Sequence, residues 1–109
     1  MDKQKVYNII KAHAIKQNER AIDGVTCQYR SPDGLKCFIG AIIPDELYNP
    51  DMEGSNIESV LLYYPDFKEF LGVPDLTFLI QLQNIHDWSP VEDWIQELKL
   101  IANEYHLIA

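Results

Sequence analysis

Six prolines and five glycines cut this 109-residue chain into short pieces, and that punctuation limits the fold more than any other feature. Breaks fall at Asp23-Gly24, Pro32-Asp33-Gly34, Pro44, Asn49-Pro50, Pro65, Gly72 and Pro90. Only the runs 2–20, 76–87 and 90–105 are left long enough for a helix of three turns or more. The expected fold is α+β and mostly helical, with one β-hairpin packed among four or five helices. Residues 1–109 read as a single compact domain, since 47% apolar residues can fill one core without a metal or disulfide.

Periodicity sets the helix faces. Val6, Ile9, Ile10, His13 and Ala14 share one side of the first helix. Between 44 and 72 the chain reads as short helices and loops. Pro44 opens a turn through Tyr48, and Ser55 with Glu58 forms a capping box for a helix carrying Ile57, Val60, Leu61 and Tyr64. Pro65 restarts a turn with Phe67, Phe70 and Leu71, which Gly72 stops. Asp75 caps a helix whose stripe is Phe78, Leu79, Leu82, Ile85 and His86. Ser89 and Glu92 suggest another capping box, with Pro90 at the first helical position. The helix after it shows Val91, Trp94, Ile95, Leu98, Ile101, Ala102 and Tyr105 on one side.

The hairpin is expected over 25–40. Pro32-Asp33-Gly34 suits a three-residue loop with Gly34 left-handed at a bulge. That loop pairs Ser31 with Leu35, Tyr29 with Cys37 and Cys27 with Ile39. Cys27, Tyr29, Leu35, Cys37 and Ile39 then share one face, and Gln28, Arg30, Lys36 and Phe38 the other. Phe38 alone spoils the split between apolar and polar faces.

Charge is uneven. The net charge is −8; residues 1–40 carry seven basic against four acidic side chains, and residues 41–109 two against thirteen. Direct nucleic-acid binding is therefore disfavoured, and an acidic mimic of nucleic acid becomes an alternative. No stretch approaches the roughly 18 apolar residues of a membrane span. MDKQKVYNIIKAH lacks the pattern of a secretory leader, so a cytoplasmic location is expected.

The candidate chemistry lies between 27 and 87. Cys37, His86 and Asp87 supply a thiol, an imidazole and a carboxylate for a Cys/His-dependent hydrolase or transferase. Against that, helix neighbours diverge by about 100°, which sets Asp87 away from the His86 ring, and no helix start is legible at Cys37. The expected register puts Cys27 and Cys37 diagonally opposite, roughly 7–8 Å apart at the backbone, too far for a comfortable disulfide. A zinc site from Cys27, Cys37 and His86 has no matching ligand spacing. An EF-hand alignment of NPDMEGSNIESV places Val60 where a bidentate Glu is needed. No metal or cofactor is expected, and both thiols are read as reduced and mostly buried. His13 and His86 read as core or boundary histidines. Tyr29, Arg30, Lys36, Asp45, Tyr48 and Glu53 form the ligand-binding candidate. In that reading Arg30 and Lys36 are cationic teeth, Tyr29 and Tyr48 are walls, and Glu53 or Asp87 are acceptors. Tyr63, Tyr64 and Trp88 are a candidate self-association patch.

The run C-x-Y-R, G-x-x-C-x-x-G, I-P-D-x-x-Y, M-E-G and L-Q-x-x-H-D resembles a family of small bacterial and phage proteins. Its residues here are Cys27, Tyr29, Arg30, Gly34, Cys37, Gly40, Ile43, Pro44, Asp45, Tyr48, Met52, Glu53, Gly54, Leu82, Gln83, His86 and Asp87. Phe38 departs from the family form, in which small residues follow the second cysteine. The resemblance implies a bacterial or phage origin and assigns no activity. The expectation is a non-enzymatic binding protein that interferes with a host system, taking a small anionic or nucleotide-like ligand or covering a host protein.

Overall fold

The computed structural model describes residues 1–72 and 75–109. It is mostly helical, with six helices and one two-stranded antiparallel hairpin among the described residues. The order is α1 (Lys3–Gln17), β1 (Ile22–Asp23), β2 (Thr26–Cys27), α2 (Phe38–Ile42), α3 (Ile57–Tyr63), α4 (Pro65–Leu71), α5 (Leu76–Trp88) and α6 (Trp94–Glu104). Short 3₁₀ turns, Pro50–Met52 and Val91–Asp93, precede α3 and α6. Among the described residues, no helix is long and apolar enough to cross a membrane.

The long helices follow their stripes. Phe78, Leu79, Leu82, Ile85 and His86 are the buried residues of α5, and Asp75 caps it by accepting from the Phe78 amide at 3.0 Å. In α6, Trp94, Leu98 and Ala102 are buried, while Ile95, Ile101 and Tyr105 are half-buried against the core. Each large apolar side chain so buried contributes about 1.5–3 kcal/mol. Helix α1 starts at its Asp2 cap and stops short of residue 20, because Asn18 turns left-handed with φ 47°. Its core face includes Tyr7, fully buried and outside the expected stripe. Gly72 ends α4 as expected, whereas Phe70 faces solvent.

The hairpin over 25–40 is corrected. Its tip has the expected register: Arg30 bridges Lys36, Ser31 N–H donates to Leu35 O at 2.8 Å, and Cys37 N–H donates to Tyr29 O at 3.2 Å. The second strand ends there, and Cys27 never meets Ile39. Cys27 pairs instead with Ile22, in a tight hairpin turned at Gly24-Val25. Cys37 is the N-cap of α2, its Sγ accepting from Gly40 N–H at 3.2 Å. The reason lies in the side chains. Phe38, Ile39 and Ile42 are all buried, a spacing that a helix turns to one side and a strand would split. Pro44 then forces Ile43 into extended backbone and ends the turn.

Two capping boxes are also corrected. Asn56, not Ser55, caps α3 by accepting from Ser59 N–H at 2.8 Å. Ser89 makes no side-chain cap. Its carbonyl instead accepts from the Trp94 indole at 3.2 Å and from Arg20. Arg20 also donates to His86 O at 2.8 Å, covering the open carbonyl end of α5 with a cation. Helix α2 sits inside, packed on α1 and α5, and both of those helices pack on α6. Phe38 meets Trp94 edge-on, ring centroids 4.9 Å apart.

Candidate functional site

Glu53 organises the expected binding cluster. The 3₁₀ turn Pro50–Met52, capped by Asn49 and anchored by fully buried Met52, delivers its carboxylate to the end of the β2 segment. Oε1 accepts from Tyr29 N–H at 2.8 Å, and Oε2 accepts from Arg30 N–H at 3.0 Å and from the Tyr48 hydroxyl at 2.7 Å. Arg30 donates to Ile43 O at 2.8 Å, pairs with Asp45 at 2.9 Å, and lies 4.4 Å from the Tyr48 ring centroid. Lys36 reaches the same Asp45 oxygen at 3.9 Å. The structure therefore brings all six candidates together, and most of their polar groups are taken by one another or by nearby backbone carbonyls. Arg30 Nε is buried without a partner. Asp45 is 83% exposed at its side chain, so its ion pair adds at most about 1 kcal/mol. Burial and then the Glu53 hydrogen bond push the Tyr48 phenol up to about 12. Tyr29 is pushed up further, chiefly by burial, and its hydroxyl donates to Ser55 O at 2.6 Å.

Behind this knot lies an open cleft of about 390 Å³. One wall is Thr26–Tyr29, the opposite wall is 54–58, and α5 closes the third side with Ile80, Gln83, Asn84 and Asp87. Those four α5 residues are three to four apart, the face opposite its buried stripe. Glu53 and Tyr29 thus tie together the two walls. The cleft carries two carboxylates, Glu58 and Asp87, and neither a lysine nor an arginine lines it. Ile80, Asn84 and Glu58 are functional candidates that the sequence reading missed. For Asn84 the signal was the polar side of α5, where it stands one turn from Asp87 and next to Gln83; Ile80 and Glu58 carried no such mark.

Cys27 and Cys37 both line the cleft, and Cys27 lies close to the His86–Asp87 pair. Contrary to expectation, Asp87 does reach its neighbour: its Oδ1 lies 2.8 Å from His86 Nδ1. Both residues are in the last turn of α5, and rotation about the two side chains closes the angle that their Cβ directions open. His86 is fully buried, stacked on Trp94 with ring centroids 5.3 Å apart. Its Nε2 accepts from the Ala21 backbone N–H at 3.1 Å. An amide can only donate, so Nε2 holds the lone pair and Nδ1 carries the hydrogen given to Asp87. Gln83 completes the arrangement. Its amide donates to Asp87 Oδ1 at 2.8 Å, and its carbonyl accepts from Ile39 N–H at 2.9 Å.

This arrangement does not suit nucleophilic catalysis. Burial drives the Cys37 thiol up to about 12, against the opposing pull of the Gly40 N–H. Burial and then the Asp87 carboxylate hold the Cys27 thiol at about 11. Thiolate is the reactive form, and both sulfurs stay protonated near neutral pH. The lone pair of the His86 imidazole, the ring grouped with Cys27, is given to Ala21. A metal fits no better. Cys27, His86 and Asp87 place their ligand atoms within 4.8 Å of one another. Ligation through Nδ1 would require the ring to lose that hydrogen while Nε2 still faces a donor, the reverse of the usual metal-bound histidine. His13 lies apart from the cleft, at hydrogen-bonding distance (2.8 Å) from Lys36 O, and burial lowers its pKa.

Comparison with protein-family models, curated proteins and solved structures finds no match to this chain.

Proposed function

We propose that this chain is a non-enzymatic binding protein that holds a small guest in the cleft between Thr26–Tyr29, 54–58 and α5. The carrying observation is the cleft: about 390 Å³, open to solvent, with a polar rim over an apolar floor that includes Ile57. That volume lies within the range of small-molecule sites. The protonated thiols and the committed imidazole argue against a covalent role. Arg30 and Lys36 are turned toward Asp45, which supports the neighbouring cleft over the expected anion pocket. The setting proposed with it, sequestration of a ligand that a host system needs, rests on the sequence pattern's resemblance to bacterial and phage proteins alone.

The test is a small-molecule screen read by backbone amide NMR, using fragments of positive, negative and zero charge. Binders are expected to shift the amides of 26–29, 54–58 and 80–87 together and to leave the exposed face of α1 unmoved. A screen in which no fragment of any charge moves the cleft amides would end this reading.

A further inference from the structure

Asp87 is the less exposed of the two carboxylates that line this cleft. Its side chain is 24% exposed. Both hydrogen bonds to Oδ1 come from groups without a formal charge, the Gln83 amide and the His86 Nδ1–H. The imidazole is uncharged in this arrangement because its other nitrogen accepts from Ala21. Among the described residues, no lysine or arginine pairs with Asp87. Arg20 is the cation nearby in the fold, and its guanidinium is directed at the carbonyls of His86 and Ser89. A second carboxylate, Glu58, stands on the opposite wall. A cleft with two carboxylates and no lining cation repels anions and draws cations, and low-dielectric walls strengthen both effects.

Accepting the cleft as the binding site proposed above, we infer that its guest is an organic cation of the ammonium or guanidinium class, seated on Asp87. Such a group supplies the positive charge that the present partners of Asp87, the Gln83 amide, the His86 ring and the Cys27 thiol, do not carry. Buried Ile57 and exposed Ile80, which both line the cleft, take the hydrocarbon portion of the guest. Glu58 is exposed, so water and salt screen its charge and Asp87 decides the preference.

The charge series benzylammonium, benzamidinium, benzyl alcohol and benzoate isolates this claim, because the four probes share a ring and differ mainly in charge. Titrated into the full chain and followed by amide NMR, the two cations should bind at least tenfold more tightly than the alcohol, and benzoate least. Asp87→Asn keeps size and shape, and should bring the cations to the affinity of the alcohol without changing the latter. If Asp87→Asn does not fold, the wild-type salt response decides: cation affinity should fall between about 20 and 300 mM salt while that of the alcohol stays flat. Cation affinity that is insensitive to salt, a preference that survives Asp87→Asn, or alcohol and benzoate binding as tightly as the cations would each overturn the inference. In the last case the cleft would still be a ligand site. Failure of all four probes to move any cleft amide would overturn the cation claim, and the broader fragment screen would then decide whether the cleft binds anything.

Discussion

Gly40→Ala is expected to destabilise the protein by about 3 kcal/mol or more, a large share of the roughly 5–15 kcal/mol that holds a domain together. The cause is a single atom. A Cβ at Gly40 would lie 2.0 Å from Tyr29 O and 2.8 Å from Tyr29 C. Both are backbone atoms, and neither can step aside. The Tyr29 carbonyl accepts from Cys37 N–H, and the Tyr29 amide is held by Glu53. Helix α2 would have to lift off the Tyr29 backbone, taking Phe38 and Ile39 out of the core. Gly34→Ala is the control. Its φ is 88° and a Cβ there meets nothing within 4 Å, so only the left-handed backbone penalty of about 1–2 kcal/mol applies. Thermal unfolding monitored by circular dichroism separates the two. Equal losses at the two positions would mean that α2 does not rest on Tyr29 in this way.

Glu53→Ala is expected to cost about 2–4 kcal/mol, because one carboxylate serves three donors. Its removal orphans the amides of Tyr29 and Arg30 and the Tyr48 hydroxyl. Water reaches the partly exposed Arg30 side more easily than buried Tyr29, which keeps the cost below the sum of three full penalties. Tyr48→Phe removes one of the three bonds and should cost about 1 kcal/mol. The Tyr48 phenol provides a second readout. It stands at about 12, with the Glu53 hydrogen bond the second largest cause after burial. Ultraviolet titration of Glu53→Ala should therefore find that tyrosine ionising at lower pH. Urea unfolding of Glu53→Ala within about 0.5 kcal/mol of the unaltered protein would show the knot to be decorative.

The helices that were legible in the sequence have strong local signals. In α5, an Asp cap and five apolar or aromatic positions at helical spacing agree, and all five are buried. In α4, proline and glycine mark both ends. The hairpin tip was legible as well, because the loop type alone fixes the pairing of Ser31 with Leu35. Helix α2, directly after that tip, was not. Its five residues are too few to show a period, and Phe38, the residue that broke the strand alternation, was the sign of it. The hairpin from Ile22 to Cys27 escaped notice because Val25, read as a strand residue, sits fully exposed on its turn.

At the candidate site, the meeting of Tyr29, Arg30, Asp45, Tyr48 and Glu53 was legible as a cluster of complementary groups. Their mutual saturation was not, since it depends on which backbone amides face Glu53. The pairing of His86 with Asp87 was hidden by reasoning from Cβ directions alone. The contribution of Ala21 could not be seen at all, because a backbone amide leaves no trace in residue type. That amide decides the tautomer of His86 and with it the argument against catalysis.

The central claim is that the two thiols and the imidazole make no reactive centre. Alkylation of Cys27 and Cys37 by iodoacetamide, followed by mass spectrometry from about pH 6 to 10, tests it directly. Thiol values of about 11 and about 12 mean that both rates still climb about tenfold per pH unit at the top of that range, with Cys37 the slower because it is 1% exposed. A rate for either cysteine that levels off below about pH 8 in the folded protein would reveal a stabilised thiolate and contradict the account.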